Sequence, residues 1–587
     1  MTRNDRNVEC RQGCDDPKVE TMSEDRVLRI LRESDASHAT GDAAATRGSR
    51  DRTKGGPDAA RAPRPPGSES KATLPKHNIE SVVVAEYGGV FVVGWIDDTV
   101  EELDKIRIVG NSWQVVFAGA ALARTGRDDV QAALGSARRH AFGFWGFAAD
   151  KAIGRGSSHC AVDVYMKNGA QQRIEVPVRV VDQFELRNLV LMYLASCRYL
   201  GNPQLDSIAA IAKSAAEQIV NFNLWITADV VSEPYVERFC GVGTRRKGSI
   251  VVCLYGKPEY LFLQHALFSG RPGIEDYEFV YVCNSPELAE RLLREARIAS
   301  LSYGLDLTLV LLPGNAGFGA ANNAAVKIAA SDRVLIVNPD VFPLAPDWAM
   351  RHTDIVEQQP AEQTRLFGAP LYYDDGSLMH GGMYFDADVG LSLDKSAFKR
   401  ATFLRVEHYG KGAPPSTEQF LRSRPVPAIT GAFMSCDRAW FEKLGGFSEE
   451  FVFGHYEDAD LCLKSIAAGI APWMHDVKLW HLEGKGSTRL PTHEGGSIVN
   501  RWLFNKRWAS TVMPDMLGPA PRHPLLAVAA EARPILFAAP AQNAAAAAGA
   551  ARRRPAKLRR LAQSFANDRL ITGCTEIVFD AGTMTGA

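Results

Sequence analysis

The sequence predicts an α/β protein, a mostly parallel sheet with helices on both faces, preceded by an all-β, sandwich-like domain and a helical connector. Three observations carry this expectation. From Gly248 to about Trp508, apolar runs (Ile250 to Leu254, Phe279 to Cys283, Thr308 to Leu312, Val334 to Val337) alternate with helical stretches, the pattern of a sheet covered on both sides. From about Ile79 the chain instead shows short β-type runs separated by turn signals such as Gly88-Gly89 and Lys167-Asn168-Gly169. Between the two, apolar residues recur at helical spacing (Leu186, Leu189, Val190, Tyr193, Leu194, then Ile208, Ile211, Ala215, Ile219), with a break at Gly201-Asn202-Pro203.

Taken in order, residues 1–75 are rich in Arg, Asp, Ala, Gly and Pro, a composition that cannot offset chain entropy by burial, and read as a disordered tail. Within it, Val27, Leu28, Ile30 and Leu31 form a short amphipathic piece, read as solvated coil or as a transient helix for a partner. Residues 76–183 carry the expected strands: Ser81 to Ala85, Val90 to Gly94, Lys105 to Val109, Gln114 to Phe117, Ala141 to Phe147, Ala161 to Met166 and Gln172 to Val181. Their aromatics (Trp95, Trp113, Phe142, Phe144, Trp145, Phe147) suit a packed core, or stacking on the apolar faces of sugar rings. Residues 184–245 form the connector and 246–512 the α/β domain. Residues 513–587, with Pro and Ala runs and a basic cluster (Arg552, Arg553, Arg554, Lys557, Arg559, Arg560), read as a mobile tail, solvated or touching anionic lipid.

At 587 residues the chain predicts several domains, and 46% hydrophobic with 23% charged residues is ordinary for a globular protein. A net charge of -1 gives no basic footprint for nucleic acid. Ten scattered cysteines with no CxxC pair argue against a zinc site or disulfide framework and for a reducing, cytoplasmic setting. The first residues lack an apolar signal core, and no stretch approaches the roughly 20 uninterrupted apolar residues of a membrane span.

The chemistry gathers in four segments. The first is a strand running into Tyr255, Gly256, Lys257, Pro258 and Glu259, a β-to-α crossing suited to a nucleotide. The second, Pro313 to Asn323, contains Asn315, Gly317, Phe318, Asn322 and Asn323 at a glycine-containing helix start that offers N–H groups to an anion. The third is the strand ending at Asn338-Pro339-Asp340; the proline stops the ladder and leaves Asp340 in a loop at the strand's C-terminal edge, able to grip a metal. The fourth holds Gly431-Ala432, Gly445-Gly446-Phe447, Glu457-Asp458-Ala459-Asp460-Leu461 and Trp480-His481.

In order and spacing these motifs resemble the inverting glycosyltransferase family 2, and more narrowly its bacterial rhamnosyl- and galactofuranosyltransferase branch. The resemblance covers roughly residues 248–510. It implies a GT-A fold and a nucleotide-diphosphate sugar donor, with Mn²⁺ or Mg²⁺ between Asp340 and the diphosphate and His481 as a further ligand. It implies Asp458 as general base, with Glu457 positioning the acceptor or raising the base's pKa. Tyr255, Asn284, Asn315, Gly317, Phe318, Asn322, Asn323 and Asn338 are the expected donor contacts. Glu457 and Asp458 could alternatively serve only the helix they begin, and His481 could be a core histidine. Asp460, four residues before Lys464, reads as structural, and Gly445 and Gly446 as needed for backbone geometry.

Three departures stand out. The second strand, which in the family ends with an aspartate for the base or ribose, here ends Cys283-Asn284-Ser285, leaving base preference open. Ser448 follows Gly-Gly-Phe where Asp is common. The processive-synthase Gln-x-x-Arg-Trp is unmatched, Phe504 standing three residues before Arg507-Trp508, which argues for transfer of one or a few sugars. The expectation is therefore a cytoplasmic enzyme, peripheral to the inner membrane face or free of it, that adds sugar to a polysaccharide or lipid-linked glycan. The rivals are a nucleotidyltransferase and a non-catalytic carbohydrate-binding scaffold with a degenerate GT-A domain.

Overall fold

A computed structural model describes residues 74–154, 159–239, 247–394, 397–420, 422–487 and 490–517, with 523, 525 and 526. All fall in the first of two units, Met1–Ala529 and Ala530–Ala587. The Val27 to Leu31 piece and the Arg552 to Arg560 cluster, with nearly all of both expected tails, lie outside the described residues. Residues 513–517, expected in the tail, instead complete a long helix.

Eight strands come first: β1 (His77–Ala85), β2 (Tyr87–Ile96), β3 (Leu103–Val109), β4 (Gln114–Ala118), β5 (Ala123–Thr125), β6 (Gly143–Gly154), β7 (His159–Met166) and β8 (Gln171–Val181). They pair in one continuous order, β4-β3-β7-β8-β1-β2-β6-β5, the halves joined by parallel pairing of β1 with β8. Side-chain alternation divides the labour. Val82, Val84, Val90 and Val92 pack with Ile106, Ile108, Val162 and Val164 from the other half. Val83, Ala85, Phe91 and Val93 point the other way, onto helices. Trp113, Phe142, Phe144, Trp145 and Phe147 are buried, so their rings are spent on packing and closed to a sugar.

After the short α1 (Asp128–Leu134) of that region come α2 (Gln183–Ser196), α3 (Pro203–Ile211) and α4 (Ala215–Val230). Asp182 caps α2 and Asn202 caps α3, each side chain accepting an N–H of the first turn, and Pro203 opens α3 where no donor is needed. The chain then makes β9 (Tyr235–Phe239), a strand the helical reading of this region does not anticipate. It pairs antiparallel at the edge of the following sheet, so the connector contributes a strand to the α/β region.

That region runs β10 (Gly248–Leu254), α5 (Glu259–Phe268), β11 (Tyr277–Cys283), α6 (Ala289–Tyr303), β12 (Leu307–Leu311), α7 (Phe318–Ile328) and β13 (Arg333–Val337). It continues with β14 (Val341–Pro343), α8 (Trp348–Gln358), β15 (Leu366–Gly368), β16 (Leu371–Tyr372), β17 (Leu378–His380), β18 (Met383–Asp394), β19 (Ala397–His408), β20 (Arg424–Pro425) and β21 (Phe433–Asp437). It ends with α9 (Arg438–Lys443), α10 (Glu457–Ala467), β22 (Trp473–Met474), β23 (Leu479–His481) and α11 (Pro491–Leu517). The main sheet has the order β20-β22-β15-β21-β13-β10-β11-β12-β9. It is parallel across β13-β10-β11-β12 and mixed outside, so the expectation of a mostly parallel sheet holds only for its middle. Beyond β13, β21 runs antiparallel to both β13 and β15, and β20 antiparallel to β22, while β15 and β22 pair parallel.

Two features place the site. β10 lies between β11 and β13, so the chain reverses its direction of growth across the sheet there, and a crevice opens beyond the C-terminal ends of these strands. A Cβ on Gly495 of α11 would stand 2.1 Å from the carbonyl oxygen of Leu191 in α2. That close crossing ties the connector to the α/β region, and one apolar core runs through Phe91, Leu189, Val251 and Phe504. Among the described residues no helix is long and apolar enough to cross a membrane.

Candidate active site

At the crevice beyond β10 and β13 lies a cleft of about 420 Å³. Nine of the twelve residues singled out in the sequence line it: Tyr255, Asn284, Asn315, Phe318, Asn338, Asp340, Glu457, Asp458 and His481. Gly317, Asn322 and Asn323 do not.

Asp340 is held by regular structure. β14 pairs antiparallel with β23, setting Val341 opposite His481, and the Leu482 N–H donates to the Asp340 carbonyl at 3.0 Å. This brings His481 Nε2 to 3.3 Å from Asp340 Oδ1, while the Gly486 N–H donates to Oδ2 at 2.8 Å. A Cβ on Gly486 would sit 2.6 Å from Oδ1, so only glycine lets the loop close over the carboxylate. His481 Nδ1 is buried and has no hydrogen-bond partner among the described residues. No group of three or more His, Cys, Asp or Glu gathers as a metal cage among those residues. A carboxylate beside an imidazole still fits a hard divalent ion, which takes one or two protein ligands and completes its shell with phosphate oxygens and water.

Glu457 and Asp458 are held by strain. Phe453, His455 and Tyr456 have φ of 60°, 81° and 76°, a left-handed conformation costing about 1–2 kcal/mol in a non-glycine residue. Asn500 of α11, fully buried, fixes this loop. Its Oδ1 accepts the Val452 N–H at 2.6 Å, and its Nδ2 donates to the carbonyls of Val452 and Gly454 at 2.9 and 2.6 Å. The loop delivers Glu457 into a buried position where its Oε2 has no partner among the described residues. Burial, and then the Asp458 charge, push its pKa up to about 8. Burial also raises Asp458, but Oδ2 accepts the Gly431 N–H at 3.0 Å and Oδ1 that of Ala459 at 2.7 Å, which favours its charged form. Backbone N–H groups of Glu457 and His455 favour the charged form of Glu457 in the same way, but burial and the Asp458 charge outweigh them there.

The loop after β12 is self-braced. Asn315 Oδ1 accepts from Asn284 Nδ2 and from the Gly317 N–H, both at 2.9 Å, and Asn284 Oδ1 accepts the Ala316 N–H at 2.8 Å. Asn284 spends its amide on this loop. Asn322 donates back to the Phe318 carbonyl at 2.9 Å. Asn323 clamps Phe447, donating to its carbonyl at 2.8 Å and accepting its N–H at 3.0 Å. Gly317, with φ of 83°, packs on the Phe453 backbone. These three shape the wall behind the cleft.

The scan against protein-family models matches none. The chain is 29% identical over 245 residues, 41% of its length, to the uncharacterised protein y4gI of Sinorhizobium fredii, and 26% identical over 227 residues, 38% of its length, to the O-antigen biosynthesis protein RfbC of Myxococcus xanthus. Those stretches span 25% and 16% of the two relatives. Several solved structures are similar to parts of the chain, at TM-scores of 0.30 or below. They include the mannosyltransferase PcManGT of Pyrobaculum calidifontis with GDP-Man and Mn²⁺ (TM-score 0.29, 15% identity, 57% of this chain and 93% of that one). Another is GalNAc-T7 with UDP, GalNAc and Mn²⁺ (0.30, 14%, 47% and 52%). A third is Staphylococcus aureus TarS 1–349 with UDP (0.27, 15%, 44% and 65%).

Other cleft residues escape the sequence reading. Glu483 accepts from the Tyr373 hydroxyl at 2.7 Å; burial would raise its pKa, but Lys411 and that hydrogen bond hold it below the usual range. Its spacing of two from His481 is the one signal that could have found it. His408, whose Nδ1 lies 2.9 Å from that of His380, is pushed down to about 4 by burial. It ends the β18–β19 hairpin, and nothing local marks it. Asp460 is fully buried and held by Trp508 Nε1 at 2.8 Å, Lys464 at 2.9 Å and Arg507 at 3.2 Å. Gly445 and Gly446, with φ of 80° and 63°, turn the chain before Phe447.

Proposed function

We propose that the chain is an inverting glycosyltransferase with a GT-A-type catalytic region, moving a sugar from a nucleotide-diphosphate sugar to an acceptor hydroxyl. The observation that carries this is the meeting of a carboxylate–imidazole pair and an adjacent pair of carboxyls, both raised by burial, in one cleft at the sheet's switch point. Asp340 and His481 would hold Mn²⁺ or Mg²⁺, whose charge offsets that developing on the departing diphosphate. Asp458 accepts the proton of the acceptor hydroxyl as its oxygen bonds to the sugar's anomeric carbon. The bond from that carbon to the diphosphate breaks, releasing a nucleoside diphosphate. Neutral Glu457 offers a hydrogen bond to the acceptor without adding a second negative charge. The acceptor class we assign is a polysaccharide or lipid-linked glycan, consistent with the name of the O-antigen biosynthesis relative and with work at the inner membrane face.

The test is donor turnover and binding with Mn²⁺ across UDP-, GDP- and dTDP-sugars, with the anomeric configuration of the product followed by NMR. Inverted product, lost in Asp458→Asn and Asp340→Ala, supports the reading. No binding and no turnover of any donor would return the chain to the carbohydrate-binding scaffold.

A further inference from the structure

Arg187 lies on α2, outside the α/β region, and is 2% exposed. Among the described residues no carboxylate pairs with it. Its Nη1 donates to Asn223 Oδ1 at 3.0 Å and its Nη2 to the Asn315 carbonyl at 3.1 Å, while Nε is buried with no partner among the described residues. Its guanidinium lies over the Phe453 ring, 4.6 Å from the centroid. A buried cation without a counter-charge is costly, and an apolar side chain of similar volume would serve packing better. Burial pulls its pKa down to about 10, which leaves it charged at neutral pH.

Its contacts are telling. Asn315 and Phe453 both line the cleft, the first in the self-braced loop and the second at the start of the strained loop that presents Glu457 and Asp458. No lysine or arginine among the described residues lines that cleft itself, although a diphosphate is the ligand assigned to it.

We propose that Arg187 is a positioning residue of the donor site: it ties the Asn315 loop to the Phe453 loop and supplies, behind the cleft wall, the positive charge that an anionic donor meets. The diphosphate then completes the electrostatics of a cation the fold leaves unpaired, and the connector becomes part of the binding machinery. This rests on the glycosyltransferase reading for the identity of the anion.

The experiment uses the full chain with Mn²⁺ and UDP, GDP and dTDP as probes, by calorimetry, with thermal melts in parallel. For the nucleotide that the wild type binds best, Arg187→Met is expected to weaken binding by about tenfold or more. Its Tm should change little, because removal of a buried unpaired charge offsets the loss of the hydrogen bonds to Asn223 and Asn315. Arg187→Lys, which keeps the charge but loses the planar fork, should recover part of the affinity. With the matching sugar donor, KM should rise more than kcat falls. A purely structural role gives the reverse, a lowered Tm with nucleotide affinity of the folded protein unchanged, and that result overturns the proposal. A wild type that binds none of the three probes overturns the glycosyltransferase reading and this inference together, whereas equal binding by wild type and Arg187→Met overturns this inference alone.

Discussion

Asp340 and Asp458 line the same cleft, but the first is positioned by a β-ladder and the second by a loop with three non-glycine residues in left-handed backbone. The difference follows from what each is proposed to do. A metal anchor needs a fixed carboxylate beside a fixed imidazole, and antiparallel register of β14 with β23 supplies that at no conformational cost. A base must keep its charge in a buried place beside a second acid, and an irregular backbone lifts Glu457 and Asp458 to the head of α10, where backbone N–H groups reach both carboxylates. Strain of this kind persists where the surroundings over-determine it, and Asn500 does so here.

The largest effect expected from breaking this comparison falls on the strained side. Asp458→Asn should lower kcat by about 10²–10⁴-fold, the usual worth of a general base, with nucleotide binding nearly unchanged by calorimetry. On the ladder side, His481→Ala should weaken activation by Mn²⁺ by at least about 10–100-fold, the cost already typical of losing an indirect metal support. It should leave kcat at saturating metal far less affected than Asp458→Asn does. Equal kcat losses at saturating Mn²⁺ would erase the division of labour between the two sides.

Much of the ladder side was legible in the sequence, because continuous apolar runs and the Asn338-Pro339-Asp340 stop are local signals. The four parallel strands follow from them, whereas their order across the sheet, and with it the switch point, is set by pairing that no local signal marks. The strained side was legible only as a motif. Nothing in Phe453, His455 or Tyr456 announces a positive φ, and nothing in the Val-Asn-Arg-Trp stretch around Asn500 announces that one amide holds the loop. Asn322 and Asn323 show the converse, side chains that suit a ligand by type but bond back to Phe318 and across to Phe447, a tertiary choice invisible to spacing. Arg187 was hidden for the same reason, since its partners lie 36 and 128 residues away.

The carboxylate pair offers a pH test of intermediate size. Glu457 titrates from 4.5 in the unfolded chain to about 8 in the fold, so between these values the folded state holds a proton that the unfolded state has lost. Stability should therefore fall as pH rises from about 4.5 to about 8, at up to about 1.4 kcal/mol per pH unit, and level off above. Glu457→Gln removes the titration. Urea melts of the two proteins should run closer together at pH 4.5 and diverge toward pH 8, the variant the more stable there. Parallel curves across the range would mean that Glu457 is not the proton carrier of the pair.

The smallest effect tests the strain directly. His455 is exposed with φ of 81°, so replacing it with glycine removes little packing while relieving a conformation that glycine adopts freely. The relief of about 1–2 kcal/mol is partly offset by the greater freedom of glycine in the unfolded chain, leaving a net gain of roughly 0.5–1 kcal/mol. If the strain serves placement of Glu457 and Asp458, kcat should drop as the melt rises, because a relaxed loop no longer fixes the pair against Gly431. A stabilised variant with unchanged kcat would show that Asn500 and the Gly431 N–H alone hold the base, and that the strained loop is only a structural consequence of them.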